Sequence, residues 1–452
     1  MMKLLAMVFA AGMVVPAQQA PPAEMTIAQA VEGALRNYPS IRVTEEQMNA
    51  AAAGIRLAQT AYLPRVDGLL QVNRATRNTF YGLLLPQGII PGVDGVKADS
   101  FGSVFDSGAG VLVGWQPFDF GLRRANVAAA AATRDQAQAA LNRTRYEVSV
   151  ATADAFLTVI AARQTAEAAR AAVESWQVIG RSIHALVSAQ LRPGADESRV
   201  EAELALAQTQ VAQAEQAIEV ARATLNEFVG AEVNLNPGRL MESPPDVPDP
   251  PFDAAGNPLA REQTAAIAQQ QSRLDALGRT YYPQFLVQGV ASGRGTGLET
   301  DGARLGGLNG LVPTVPNYGV GLTVTFPAMD RFALRQQEAM QTANMRAQEA
   351  QAQVIAARLR AQFNTAMAML AGARKIAANT PVAVSSGRTA VEQATARYQS
   401  GLAPIDEVAQ AQRLLAQARI DDALARLNVW RARLQVATAR GDIQPFLDEV
   451  VR

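Results

Sequence analysis

"RYQSGLAPIDEVAQAQ" (Arg397–Gln412) sets Gly401 and Pro404 between two flanks of strong helix formers. Inside a helix glycine costs roughly 1 kcal/mol and proline about 3 kcal/mol relative to alanine. The stretch therefore reads as a sharp turn between two helices. A matching interruption, "SAQLRPGADESRVEAELAL" (Ser188–Leu206), lies 210 positions earlier, measured from Asp196 to Asp406. Upstream of it, from about Phe120 to Ala189, there is no proline and, past Gly121, one glycine, Gly180. At 1.5 Å per residue that run predicts a helix of roughly 100 Å, far longer than a globular core needs.

The arms after the turns carry heptads. Val200, Leu204, Ala207, Val211, Ala214, Ile218, Ala221, Leu225 and Phe228 alternate steps of four and three, and Ile420, Ala423, Leu427, Trp430, Leu434 and Ala437 repeat the pattern. Narrow seams with alanine as the knob predict closely packed coiled-coil helices, wet on both sides of the helix layer.

An internal repeat organises the whole chain. "NYPSIRV" and "GNPLARE" each open a helical run that ends in an aromatic and a proline, "TAYLPRVDGLLQV" and "RTYYPQFLVQGV"; Pro39 to Pro258 and Pro64 to Pro283 are both 219 positions. "GVLVGWQPFDFGLRR" then pairs with "VGLTVTFPAMDRFALR", Pro117 to Pro327 being 210 positions. Each half reads helix, strand, loop, strand, very long helix, turn, helix. Pro64, Pro117, Pro283 and Pro327 fall at the four helix–strand crossings, where proline ends a ladder without breaking one.

The strands alternate with period two. Tyr318, Val320, Leu322, Val324 and Phe326 share one face against Gly319, Gly321, Thr323 and Thr325; Val111, Val113 and Trp115 oppose Leu112, Gly114 and Gln116. About ten residues with a wholly apolar face and aromatics near its ends suit a transmembrane β-strand with those residues toward lipid. A sandwich strand facing a core is the alternative from one strand alone. The expected divisions are a signal peptide at 1–17, a first repeat at 18–240 (strands 64–74 and 108–118, turn 191–196) and a Pro-rich linker at 241–257. A second repeat follows at 258–441 (strands 283–293 and 317–327, turn 400–406), then a C-terminal tail at 442–452.

Composition narrows the function. Lys plus Arg and Asp plus Glu are both 41, so no broad basic surface awaits nucleic acid. The absence of cysteine excludes disulfides, thiolate metal sites, Cys nucleophiles and a lipid-anchored cysteine. One histidine, His184, leaves no His-based metal cluster and barely a Ser-His-Asp triad; a solvated or capping role is expected for it. Lys3, the apolar run Leu4–Val15 and Val15-Pro16-Ala17 read as a cleaved signal peptide, hence export.

These residues resemble the TolC-like outer-membrane efflux family over about Thr26 to Arg440. The carriers are "TIAQAVEGALRNYPSIRV", "YLP" before the first strand, "PFDFGLRR" after the second and, most specific, "ARYQSGLAPIDEVAQAQRLLAQA" at the second turn. The resemblance implies an α+β membrane protein with internal structural duplication. Its homotrimer pools four strands per chain into a 12-stranded outer-membrane β-barrel, continuous with a long coiled-coil α-barrel in the periplasm. Pooling also follows from physics, since four strands cannot close and open edges are not tolerated in lipid.

The family further implies a passive exit duct for tripartite efflux or type I secretion, without catalytic residues or cofactor, working with a periplasmic adaptor (membrane fusion protein) and an inner-membrane pump of RND or ABC type. Adaptor contact falls on the tips: Leu191, Arg192, Pro193 and Gly194 in the first turn, Gly401, Leu402, Ala403 and Pro404 in the second, with Leu191 standing where the family usually has glycine. The pore gate falls on Asp406, Glu407 and Gln410; a ring of Glu407 and Asp406 would favour cations, while the bland alternative is that both acids stabilise a helix start. A periplasmic coiled-coil scaffold without a pore is the competing class, and an exported hydrolase with paired carboxylates a third.

Smaller signals point to no chemistry. "SGRGTGLETDG" (Ser292–Gly302) looks like a phosphate loop but precedes no helix start, so an extracellular loop is expected. "NRT" at Asn142–Thr144 lies within the long helix and is a chance sequon. Tyr62, Trp115, Tyr281 and Tyr282 read as an interfacial aromatic girdle, with core packing as the alternative.

Overall fold

The computed structural model describes residues 24–76, 102–231, 234–242, 251–299, 303–327 and 329–451. The expected signal peptide, loop residues 77–101 and linker residues 243–250 lie outside the described residues. In chain order the elements are α1 (Ile27–Asn37), α2 (Pro39–Thr60), β1 (Arg65–Thr76), β2 (Ser103–Trp115), α3 (Leu122–Ser188) and α4 (Gly194–Val229). Then come α5 (Pro258–Arg279), β3 (Gln284–Thr296), β4 (Val315–Thr325), α6 (Asp330–Gln399), α7 (Ile405–Arg440) and α8 (Gln444–Val451). Two compact units share this chain: one holds Val43–Leu141 and Leu259–Ile355, the other Asn142–Pro258, the residues from Ala356 onward and the chain up to Arg42.

The first unit is built on one antiparallel sheet in the order β1-β2-β3-β4. The register aligns Val113 with Val66 and Gly289, and Gly289 with Val320. Paired residues share a face, so one face collects Val66, Gly68, Leu70, Val72, Ala109, Val111, Val113, Trp115, Phe285, Val287, Gly289, Ala291, Tyr318, Val320, Leu322 and Val324. It holds no charged residue over that span. The other face is mixed: Asp67, Gln71, Gly108, Gly110, Gln288, Ser292, Thr323 and Thr325 alternate with Leu69, Leu112, Leu286 and Val290. Within one chain the apolar face is bare: Tyr318 is 90% and Val320 82% exposed. The outer edges of β1 and β4 find no further strand among the described residues.

Strand ends differ from the expected bounds for reasons in the register. β2 runs Ser103–Trp115 rather than 108–118, because Thr76 pairs with Ser103 at one end and Pro117 cannot donate at the other. β3 continues to Thr296, so Ser292–Thr296 of the expected loop is strand, laddered to β2 down to Asp106. β4 begins at Val315 and stops at Thr325, before Phe326 and Pro327.

At the strand-to-helix crossing Asp119 accepts from the backbone N–H groups of Gly121 (3.1 Å) and Arg123 (2.8 Å) and from Arg123 Nε (2.8 Å). Burial pushes the Asp119 carboxyl up, but those donors and the Arg123 charge outweigh it and hold it below its ordinary range. Arg123 also lies 4.7 Å from the Tyr62 ring centroid, and Trp115 Nε1 donates to Tyr62 O at 3.1 Å. Proline opens α2 and α5 at Pro39 and Pro258, where a missing N–H costs nothing.

The second unit has a helical core. Ile27, Val31, Phe156, Ile160, Leu225, Leu240, Leu427, Trp430 and Leu434 pack in one cluster with Phe446, Leu447 and Val450. The expected tail at 442–452 is therefore mostly α8, an amphipathic helix whose Phe446 meets Trp430 edge-on at 6.2 Å. Trp430 is fully buried and satisfies its indole by donating to Glu242 O at 2.9 Å. On α4 the buried positions include Val200, Ala207, Ala214, Ile218, Ala221 and Leu225, the narrow seam of the heptads. The last turns of α7 are not narrow. Leu427, Trp430 and Leu434 enter the main core, while Val429, Ala432 and Val436 pack against Ala366 and Leu370 of α6. A two-sided burial leaves no single stripe, so the expected wet surface is absent there.

Candidate functional site: the hairpin tips

Both turns are built by the same backbone device. Leu191 N donates to Leu186 O and Gln190 N to Val187 O, each at 2.9 Å; Leu402 N donates to Arg397 O at 2.8 Å and Gly401 N to Tyr398 O at 3.0 Å. These are the paired bonds of a Schellman motif, which needs a left-handed residue at its C′ position. Gly401 supplies it with φ +74°, and Gln190 supplies it with φ +61°. The position matching Gly401 is thus Gln190 and not Leu191. Pro193 and Pro404 then cap the N-termini of α4 and α7 with extended backbone. Counted from those prolines, Glu407 corresponds to Asp196, one residue away from the Asp196–Asp406 match read off the sequence.

Above the turns the two hairpins share an apolar cluster of Trp176, Ile183, Val200, Ala207, Tyr398, Ile405 and Val408. Polar contacts ring it. Tyr398 Oη donates to Asp196 Oδ2 at 2.7 Å, while Arg192 donates to Tyr398 O and lies 4.4 Å from the Tyr398 ring centroid. Burial, and then the Asp196 carboxylate, push the Tyr398 phenol up to about 12. Arg199 reaches Asp406 at 3.2 Å, and Arg397 reaches Glu407 at 3.4 Å. Glu203, 6% exposed, sits 3.6 Å from both Arg199 and Arg413. A carboxylate buried that deeply needs such company.

The residues singled out in the sequence separate here. Arg192, Asp406 and Glu407 join the polar ring, and Gln410 is exposed beside it. Leu191 and Leu402 are 70% and 72% exposed at the ends of the turns. Pro193, Gly194 and Pro404 shape the chain reversal. Ala403 is buried, so it presents no surface to a partner: the bend toward Pro404 turns its methyl inward. Asp406 and Glu407 are each compensated by an arginine of the same chain rather than free. Tyr398, Asp196, Arg199 and Glu203 were not picked from the sequence, although Tyr398 and Asp196 flank the two turns and an aromatic before one beside an acid after the other was a usable sign.

His184 pairs with Glu197 across the first hairpin at 2.6 Å. The Glu197 hydrogen bond and charge raise the imidazole above its ordinary value. No group of three or more His, Cys, Asp or Glu able to hold a metal occurs among the described residues.

Residues 30–231 match the family model described as outer membrane efflux protein. No curated protein sequence matches the chain. Among solved structures, the outer-membrane channel OprN is similar at TM-score 0.72 and 19% identity over 92% of this chain and 89% of that one. The CmeC outer membrane channel of Campylobacter jejuni is similar at TM-score 0.73 and 15% identity over 94% and 89%. The MtrE outer membrane channel of Neisseria gonorrhoeae, in its open state, is similar at TM-score 0.71 and 15% identity over 92% and 89%. At these identities the likeness is one of fold.

Proposed function

We propose that this chain, which resembles outer membrane efflux proteins by sequence in its first half and outer-membrane channels by fold over nearly its whole length, is a passive outer-membrane exit duct. The observation that carries the reading is the four-stranded sheet, apolar on one face from the crossings as far as Val72 and Ala109, and unpaired at both edges among the described residues. A lone chain would expose both the face and the edges, neither of which lipid or water tolerates together. Three copies joining β1 to β4 would remove every edge and close twelve strands around a glycine-rich lumen of mixed polarity. The lipid-facing set is then Val111, Val113, Trp115, Tyr318, Val320, Leu322, Val324 and, just past β4, Phe326. A periplasmic scaffold without a pore leaves that bare apolar face without a purpose.

In this reading α3, α4, α6 and α7 form the periplasmic α-barrel, and its tips are the gate and the docking end for an adaptor serving an inner-membrane pump. Leu191 and Leu402 offer the adaptor exposed apolar contacts, with Arg192 behind them. The gate is held by Tyr398–Asp196, Arg199–Asp406 and Arg397–Glu407, so the acidic pair serves as latch as much as selectivity ring. Transport needs no catalytic group or cofactor.

Purified full-length protein in planar bilayers supplies the test. Discrete conductance from a heat-modifiable trimer is expected, and Glu407→Gln is expected to raise open probability by freeing Arg397 and to lower cation preference. A detergent-free soluble monomer without conductance would sink the duct; an unchanged Glu407→Gln pore would remove the gate role alone.

A further inference from the structure

At the crossing level of the sheet unit, cations lie on aromatic rings with no anion of their own. Arg279 Cζ is 5.9 Å from the centroid of Tyr282, and Arg331 Cζ is 5.7 Å from that of Tyr281. Both tyrosines are about two-fifths exposed, directly before Pro283 and β3. Tyr282 stacks on Phe120 at 5.2 Å, and Phe120 meets Phe118 at 4.6 Å and Phe285 at 6.2 Å. Phe285 belongs to the apolar face, so this cluster is that face's helix-ward margin. Beside Arg331, Phe326, Met329 and Phe332 are also exposed.

Charge at this level leans positive. Within eight residues of the four crossing prolines stand Arg56, Arg65, Arg123, Arg124, Arg279, Arg331 and Arg335 against Asp67, Asp119, Asp275 and Asp330, with Glu338 facing Gly278. Arg65 is matched by Asp67 and Arg123 by Asp119. Among the described residues neither Arg279 nor Arg331 has a carboxylate at ion-pair distance. Arg331 is moreover the second residue of α6, where the positive end of the helix dipole disfavours a cation. A guanidinium kept there, its Cζ over a ring and its margin apolar, offers a fork of N–H donors to an oxyanion that arrives with hydrocarbon attached, such as the two free oxygens of a phosphodiester.

We propose that Arg279 and Arg331, on the Tyr281–Tyr282 pair, bind the phosphodiester headgroup of an anionic phospholipid in the leaflet nearest the helices. This rests on the lipid-facing reading of the sheet. The site commits the margin of the barrel to charged rather than zwitterionic lipid and fixes the depth at which the crossings sit.

The full-length protein in nanodiscs of equimolar phosphatidylcholine and phosphatidylglycerol tests it, with the lipid retained through stepwise delipidation read by mass spectrometry. Wild type is expected to retain phosphatidylglycerol in excess. Arg279→Gln with Arg331→Gln is expected to cut that excess about fivefold per arginine, from the ~1 kcal/mol that a basic residue gains near an anionic lipid surface. Arg346→Gln on α6, about 22 Å further along the helix, is expected to leave it unchanged. Equal retention by wild type and the double variant overturns the headgroup site, as does complete displacement by inorganic phosphate, which marks a free-anion site. Failure of the protein to enter the bilayer overturns the lipid-facing reading instead. Should the double variant misfold, the wild type decides alone: an excess that does not fall as salt rises is not an electrostatic headgroup contact.

Discussion

At one shared left-handed position the two tips carry different residues. Gln190 carries a side chain into the left-handed region at a cost of roughly 1 kcal/mol, which Gly401 avoids. Gln190→Gly is therefore expected to stabilise the first turn by about that much, read as slower amide exchange over Ala189–Arg192. Tyr398→Phe removes a donor to a carboxylate, a bond worth about 2 kcal/mol, and is expected to loosen the tips and raise open probability in bilayers. With its phenol raised to about 12, the Tyr398 contribution is full below the unfolded value near 10 and is lost as pH climbs through 12. The His184 imidazole is raised too, so its pair with Glu197 is fully present below the unfolded value near 6.5 and fades as pH rises through the folded value. Protection factors at Arg181–Glu201, which divide out the base-catalysed intrinsic exchange rate, should accordingly fall from pH 6 to pH 9, and Glu197→Gln should flatten that profile. Little of this was legible in the sequence: left-handed glutamine has no compositional mark, and although Tyr398 and Asp196 flank the turns, a contact between arms some 200 residues apart is fixed only once both hairpins are folded.

At the scale of elements the sequence spoke plainly. Alternation in "NYGVGLTVTFP" set which residues of β4 share a face, and the register extends that parity across all four strands. On the lipid-facing reading Leu322→Arg is expected to cost about 2–4 kcal/mol and abolish heat-modifiable trimers, whereas Thr323→Arg, on the opposite face of the same strand, should assemble. Both outcomes are read on one gel. Strand ends were less legible, because the partner strand's length rather than the strand's own residues fixes where laddering stops. The long α6 shows the same limit. It runs through Pro381, which can offer no N–H to Ala377 O; Thr380 Oγ1 lies 3.5 Å from that carbonyl and 2.8 Å from Asp422 Oδ1. The helix nonetheless continues through a residue that normally stops one, with Thr380 tied to the facing Asp422 of α7. The C-terminal α8 had no periodic run long enough to announce itself; burial of Phe446, Leu447 and Val450 decides it.

For the whole molecule, duplication is visible in four prolines, yet the copies have diverged at the left-handed position of their turns. A trimer built from these chains would end in six reversals of alternating make, one tense and one relaxed around the ring. Such an iris has threefold and not sixfold order, whatever the symmetry of the machine that grips it. A pull shared equally among the six would move them unequally, and the first movement would come from the glycine leaves.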